Sequence, residues 1–528
     1  MIHDLRARDD APLTAKCAVC IIGGGIAGLI SASRLSTSGR RVVVLESGDQ
    51  KPLRQFDAFN LVEQTVETYQ HAVDGRVRAL GGTSNTWGGR IIPLTHHDMM
   101  PRDYLGLSGW PIARADLDGF TPDIERLFRL DQTSYEELPA SPSRLDDDAL
   151  SGSHQDMIAR WPKWPTFRRR NVALLLRHTV AIKRNPEIWL NATVFDLLFD
   201  GVAGRLTGVT AKSVNGKRLT VTADWFILAA GTLETTRLLL QLDELTDHRA
   251  FAGCDALGRY FNDHLQIEVG RVKPIDSKRT NLVFGPHIGG TTWRSLHLET
   301  TVGAQRGDQA ASGYVTIRPE LSPRSIYHYA RNLGKSVQAR RFPELVPKAE
   351  IAKDLGSLAP ALYWRVRHKQ VHFSPSIDLF VDARIEQVPN SLSRLTLSKQ
   401  RDELGAPMLG MDWRKTDSDK HTLRSVLLRA RRFWRSTFLH ATSPIAWSIN
   451  PDQDDLVEQT MDTRHPAGTA RMGTDPRRSV VNPRLACHAV PNVLVASAAV
   501  FPSSGSANPT LTIMQIAFRA AESVMAVW

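Results

Sequence analysis

The chain has 528 residues, 42% of them hydrophobic and 23% charged, with a formal net charge of +11; this is the composition of a soluble globular protein too long for one ordinary core, so two or three lobes are expected. The positive surplus raises the question of acidic partners, but much of it sits in Arg168, Arg169 and Arg170 and in Arg429, Arg431, Arg432 and Arg435, runs that read as solvated faces, with no nucleic-acid motif beside them. Four cysteines cannot build a disulfide framework, so a reducing, cytoplasmic location is expected.

The opening segment MIHDLRARDDAPLTAK is partly acidic and has no apolar h-region, so no signal peptide is expected. Residues 17–32 are apolar, but they are short for a membrane span and carry four glycines. Cys17 and Cys20 lack a second pair at zinc spacing and read as small core residues; no metal site is expected. A buried strand over 17–22 meets Gly23, Gly25 and Gly28 at G-x-G-x-x-G spacing, and a helix pattern follows. A second buried strand, in RRVVVLESG, ends at Glu46, 23 residues beyond Gly23. Strand, glycine turn, helix, strand and acid in that order predict a dinucleotide cradle. Gly23 permits the tight turn, Gly25 lets the backbone approach a pyrophosphate, and Gly28 lets helix pack on sheet. The helix N-terminus offers free N–H groups to phosphate, and Glu46 can accept from ribose hydroxyls. An acid there disfavours a 2′-phosphate without separating NAD from FAD.

In VRALGGTSNTWGGR (77–90), Gly81, Gly82, Gly88 and Gly89 bracket Thr83, Ser84, Asn85, Thr86 and Trp87. So many backbone donors beside a tryptophan suit a loop wrapped round a flat, phosphate-bearing ligand rather than a linker. EIWLNATVFDLLFD and RLTGVTAKSVNGKRLTVTAD read as an antiparallel excursion with a hairpin turn at NGK. WFILAAGTLETTRLLL reads as a buried strand, a turn at Ala230 and Gly231, and a helix, a pattern that suits a strand ending beside the same ligand. Residues 270–320 and 370–400 alternate apolar and polar, as strands of an antiparallel sheet do. Between them, 325–370 reads as a basic, aromatic helical segment: a lid, a membrane-surface face or a solvated cover. Gln387, Asn390 and His287 are candidates for a pocket on this sheet, or for structural roles. HPAGTARMG (465–473) has neither helix nor strand period; it presents His465, while Met472 reads as core. NPTLTIMQIAF reads as a helix start with Pro509 in its first turn, leaving the N–H groups of Thr510 and Leu511 open to negative charge.

Six motifs in order, GGGIAG, RALGGTSNTWGG, AAGTLETTRLLL, LGRYFNDHL, HPAGTARMG and PNVLVASAAVFPSSGSANPTLTI, resemble those of the glucose–methanol–choline (GMC) family of FAD-dependent oxidoreductases, over residues 17–112, 185–265 and 385–528. The resemblance implies an α/β (α+β) fold in which a Rossmann-like FAD-binding domain (12–112, 180–265 and 455–528) is interleaved with an antiparallel-sheet substrate-binding domain (113–179 and 266–454, with a helical cover around 325–370). It also implies an FAD site at Gly23, Gly25, Ile26, Ala27, Gly28, Glu46, Ser47, Gly81, Gly82, Thr83, Ser84, Trp87, Gly88, Gly89, Val194, Ala230, Gly231, Ala498, Pro509 and Thr510. The family's catalytic histidine falls on His465, and its second residue, His or Asn, falls on Asn508, 43 positions on. Thr86 stands where the sugar 2-oxidases carry a covalently flavinylated histidine, so non-covalent FAD is expected. Trp87 and SGWPI lean towards the sugar-oxidising branch.

The implied reaction oxidises a CH–OH group of a sugar, glycoside or polyol. His465 takes the hydroxyl proton, Asn508 holds the same oxygen, and hydride passes to flavin N5. Electrons go on to oxygen, a quinone or a redox carrier; oxidase and dehydrogenase stay open, as does the oligomeric state. Two other readings are a specialised alcohol substrate or lyase chemistry, which gains from a free cysteine near the flavin, and a non-catalytic flavin protein, which has no need of the His465 and Asn508 pair.

Overall fold

The apolar run from Leu13 forms a ten-residue strand, Leu13–Ile22, whose inner half is buried on both faces, as a central parallel strand requires. The computed structural model that shows this describes residues 1–8, 13–138, 150, 155–177, 185–322, 325–342, 356, 358–374 and 377–528. Strand Leu13–Ile22 pairs in parallel with Val42–Leu45 on one side and Arg218–Leu228 on the other. Beyond Val42–Leu45 lie Glu187–Leu190 and then Ile2–Asp4, also parallel, so the sheet begins ahead of the boundary read at residue 12. Strand Arg218–Leu228 is shared along its length. Its last residues pair in parallel with Val493–Val495, and its first with the antiparallel Arg205–Lys212, which Thr193–Asp200 follows.

The turn at Asn215 and Gly216 closes the expected hairpin, with Gly216 at φ +85°. Glu187–Leu190, however, does not belong to the antiparallel excursion. Asn191 takes φ +55° and turns the chain out of the parallel sheet before Thr193 starts the meander. The domain boundary at 179/180 lies outside the described residues.

Helix Ile26–Leu35 follows the glycine turn and packs against the C-terminal helix Thr510–Met525, where Ser31 Oγ donates to Ala517 O at 2.9 Å. The same C-terminal helix carries Thr121–Phe128: Gln515 Nε2 donates to Leu117 O and to Thr121 Oγ1. Part of the segment read as substrate domain therefore rests on the cofactor side.

A second large sheet is antiparallel. Its order is Ile445–Trp447, His264–Val272, Leu379–Glu386, Gly313–Pro319, His297–Thr300, Met157–Arg160, with Met461–Asp462 also on His264–Val272. Helices Ser277–Phe284 and Val302–Asp308 interrupt the expected strand segments, the first capped by Asp276 and the second by Thr301. Val381, Ala383 and Ile385 alternate into a core shared with Val426, Leu427 and Ala430 of helix Asp417–Ser436. The intervening Asp382, Arg384 and Glu386 face the opposite side, towards the cofactor lobe. Within 325–370 the helices are Ile326–Ala339 and Leu358–Arg367; residues 343–355 and 357 lie outside the described residues. Among the described residues no helix is long and apolar enough to cross a membrane.

The arginine runs are not uniformly solvated. Arg170 is buried, its Nε donating to Pro165 O, and Arg429 is gripped by Asp308 and Asp156. Cys17 and Cys20 are buried free thiols on the central strand, and Met472 is core.

A Cβ on Gly28 would sit 1.8 Å from Gly23 O, so the first helix reaches the turn only without a side chain there. Gly28→Ala is expected to cost about 1–3 kcal/mol in denaturant unfolding; an unchanged midpoint would contradict this packing.

Candidate active site

The parallel strands end at one cavity. Ile22, Leu45, Glu46, Ala192, Ala229 and Ala496, each at or just past the carboxyl end of a strand, all line it. It encloses about 1380 Å³ of empty space, its open mouth included. Three helices aim their N-termini into it: Ile26–Leu35, Gly231–Leu245 and Thr510–Met525. None of the three has a side-chain cap. Their free N–H groups and positive dipole ends converge on one space, which is what a ligand bearing several negative charges needs. Gly82, at φ +53°, lies so close that a Cβ on it would meet Gly25 Cα at 2.8 Å. The two glycine loops thus touch through bare backbone. An elongated cleft of backbone donors fits FAD; the anionic pyrophosphate suits the helix ends.

Of the residues expected at the cofactor, Gly23, Gly25, Ile26, Ala27, Glu46, Ser47, Gly82, Thr83, Trp87, Val194, Ala230, Gly231, Ala498, Pro509 and Thr510 line this cavity. Gly28, Gly81, Ser84, Gly88 and Gly89 do not. Gly28 packs on Gly23. Gly81 N donates to Gly24 O, Ser84 Oγ donates to Gly81 O, and Gly89 leaves room for the Arg170 guanidinium. Gly88 is exposed. Trp87 is held by its Nε1 donating to Arg170 O at 2.8 Å. Glu46 accepts Gly24 N–H at 2.7 Å and Gly48 N–H at 2.8 Å, one on each oxygen, while burial pushes its pKa up to about 7. Thr86 is exposed and donates to Thr83 O.

Other lining residues escaped the sequence reading, chiefly Asn60, Arg76, Arg78, Glu234 and Arg464. Arg78 donates to Ser47 Oγ, Glu234 and Asn60, and burial with Arg78 alongside pulls the Arg76 pKa down to about 9. Burial raises the Glu234 carboxyl, but Arg237 and Arg78 outweigh it and carry it to about 2. Two arginines in GRVRAL, directly before a glycine loop, were the available signal.

His465 enters the cavity from the C-terminal segment. Its backbone N–H donates to Asp263 Oδ2 at 2.8 Å, and its Nδ1 lies 2.8 Å from Thr463 Oγ1 and 3.1 Å from His264 Nδ1. His264 Nε2 sits 2.8 Å from Gly505 O, which can only accept, so that nitrogen carries the proton. Burial drives the His264 pKa to about 4, leaving it neutral with a lone pair on Nδ1. The hydrogen between the two Nδ1 atoms therefore belongs to His465, and its Nε2 is left with a lone pair. Asn508 Nδ2 donates to that Nε2 at 3.3 Å, and Asn508 Oδ1 has no partner among the described residues. Burial pushes the His465 pKa well below its ordinary value, and the neighbouring His264, Arg384, Arg90 and Arg464 push the same way by disfavouring a second positive charge.

Asp263 accepts from Tyr69 Oη, Thr463 Oγ1, Thr463 N, His264 N and His465 N. Burial and Asp462 push its pKa up to about 7 against those donors. Asp263, His264 and His465 also lie close enough to share a metal ion. Both carboxylate oxygens are already saturated by donors, however, and the two facing ring nitrogens share a proton. Gln387, Asn390 and His287 stand away from the cavity: Gln387 is bound to Trp413, Arg414 and Asp419, Asn390 closes a turn onto Leu392 N, and His287 packs on Trp161 and Gln370.

An open parallel sheet with a glycine-loop cleft at its switch point, roofed by an antiparallel sheet that lends a histidine site, is the architecture of an FAD-binding oxidoreductase. Comparisons agree. The description "GMC oxidoreductase" matches residues 389–517 and "FAD binding domain" matches 16–137. These two segments carry the chain's similarity to the GMC oxidoreductases. It is 24% identical to the fructose dehydrogenase large subunit of Gluconobacter japonicus over 65% of this chain and 55% of that one, and 30% identical to 6'''-hydroxyparomomycin C oxidase of Streptomyces lividus over 30% and 27%. It thus spans about half or less of these relatives' lengths. A variant of Aspergillus oryzae RIB40 formate oxidase shares the fold, at 18% identity and a TM-score of 0.58, over 98% of this chain and 99% of that one. So does pyridoxine 4-oxidase from Mesorbium loti, at 18% and 0.59, over 96% and 98%.

Free FAD in 100-fold excess over its dissociation constant is expected to stabilise the apoprotein by about 2.7 kcal/mol, and acid precipitation is expected to leave the flavin in the supernatant. Flavin retained in the pellet would contradict a non-covalent site.

Proposed function

We propose that this protein oxidises the CH–OH group of a sugar, glycoside or polyol-like substrate, with His465 as the base. The observation that supports it is the lone pair on His465 Nε2, held in the mouth of the FAD cleft beside an amide with an unpartnered oxygen. A substrate hydroxyl entering between them donates its proton to Nε2. The Asn508 amide holds the developing alkoxide and so fixes the carbinol C–H direction. FAD, when bound, supplies the hydride acceptor. His264 and Thr463 keep His465 in the competent tautomer. The names of the sugar-acting relatives favour this substrate class. None of the four cysteines lines the cavity, which takes away the feature that would have favoured lyase chemistry. Electrons leave to oxygen, a quinone or a redox carrier.

His465→Ala is expected to retain FAD and slow anaerobic flavin reduction about 10²–10⁴-fold; a rate within twofold of the parent would remove His465 as the base. A base acts when deprotonated, so activity falls only as pH drops through its pKa. That pKa lies below the ordinary histidine value, so reduction is expected to be flat above neutrality and to fall on the acid side. An acid limb centred above pH 7 would contradict the assignment.

A further inference from the structure

The face of the antiparallel sheet turned towards His465 is strongly basic at one point. His264 and Gln266 share that face with Arg384 and Glu386, through the register pairs Gln266 with Arg384 and His264 with Glu386, and Tyr314 pairs with Arg384 from the other side. Arg384 Nε donates to Gln266 Oε1 at 2.6 Å, and its Nη1 donates to Tyr314 Oη at 3.3 Å. Arg90, arriving from the cofactor side just past Trp87, donates to the same Tyr314 Oη at 3.2 Å and stacks over Trp164. Two guanidinium groups from two lobes therefore meet over one phenol oxygen.

Their charge is poorly balanced. Asp382 stands 3.7 Å from Arg384 but is already paired with Arg318 at 2.9 Å, and among the described residues Arg90 has no carboxylate at ion-pair distance. Next to them His297, fully buried, stacks on Tyr314, with its Nε2 3.6 Å from Glu299 Oε2. Like charges sharing one neutral acceptor repel; an anion between them relieves the repulsion and accepts from both forks.

We propose that Arg90 and Arg384 form an anion clamp for the substrate, so that the alcohol oxidised at His465 carries a carboxylate or phosphate group. This rests on the proposed oxidation, and it narrows a neutral sugar to a sugar acid or sugar phosphate. Arg90 and Arg384 are positioning residues: they hold the anionic end and thereby place the reacting carbinol beneath His465 Nε2.

The test uses the holoenzyme without oxygen and three matched probes, D-gluconate, glucose 6-phosphate and glucose, read by bleaching of the flavin. At least one anionic probe is expected to reduce the flavin at least tenfold more efficiently than glucose; gluconate ahead marks a carboxylate, glucose 6-phosphate ahead a phosphate. Arg90→Gln and Arg384→Gln, each checked for bound FAD, are expected to lose at least tenfold more efficiency on the anionic probe than on glucose, and to lose it through KM. Arg90→Lys should restore part of the loss. In His465→Ala, whose flavin is reduced slowly enough for binding to be read first, the same anion is expected to perturb the flavin spectrum saturably, and Arg90→Gln added to it should weaken that binding at least tenfold. Saturable anion binding without bleaching in the parent keeps the clamp and removes the oxidation reading. Glucose matching or outrunning both anions overturns the clamp and leaves oxidation standing, and so does absence of saturable binding by either anion.

Discussion

Asp263 ties the cofactor lobe to the substrate sheet. It opens strand His264–Val272 and accepts hydrogen bonds from Tyr69, from Thr463 and from the backbone of His465. A buried carboxylate without donors is costly, and each hydrogen bond to a charged group is worth about 1.5–3 kcal/mol. Segments widely separated in sequence must therefore converge on this one carboxylate. Because Asp263 is adjacent to a sheet strand, the register of His264 against Glu386 also fixes where the His465 ring sits. Placement of the base is thus a consequence of strand pairing, not of the loop that carries it.

The two halves of the site solve different problems with different materials. The FAD cleft is built mainly from backbone: three uncapped helix ends, two glycine loops in contact, and strand termini. Backbone dipoles cost no side-chain entropy and hold an extended anion along its length. The substrate side is built from side chains on one sheet face, where period-two alternation sends Val381, Ala383 and Ile385 into the helix-covered core and Arg384 and Glu386 to the opposite face. Beside it Asn508 Oδ1 has no hydrogen-bond partner among the described residues, which is the condition of a group awaiting a polar ligand.

Much of the cofactor cradle was legible in the sequence because its geometry is local. A glycine turn between a buried strand and a helix has few solutions, and Glu46 follows at the end of the next strand. Legibility failed where long-range pairing decides. Glu187–Leu190 reads like the meander that follows it, and only Asn191 in the left-handed region reveals that it stays in the parallel sheet. Arg170 looks like one more surface arginine in a run, yet Pro165 O and the Gly89 turn accommodate it inside. His264 lies in LGRYFNDHL, a motif visible at the outset, but its contact with His465 across 201 positions leaves no local trace. Arg90 and Arg384 are 294 positions apart in sequence and meet only because each donates to Tyr314.

The central claim is that His465 presents a neutral imidazole with its proton on Nδ1 and a lone pair on Nε2. Nitrogen-15 correlation spectra of histidine-labelled holoenzyme at pH 7, assigned by the signal lost in His465→Ala, read this directly. A neutral ring with the proton on Nδ1 is expected. An imidazolium signal, or a neutral ring protonated on Nε2, would contradict the hydrogen-bond chain from Gly505 through His264 and with it the role of His465 as the base.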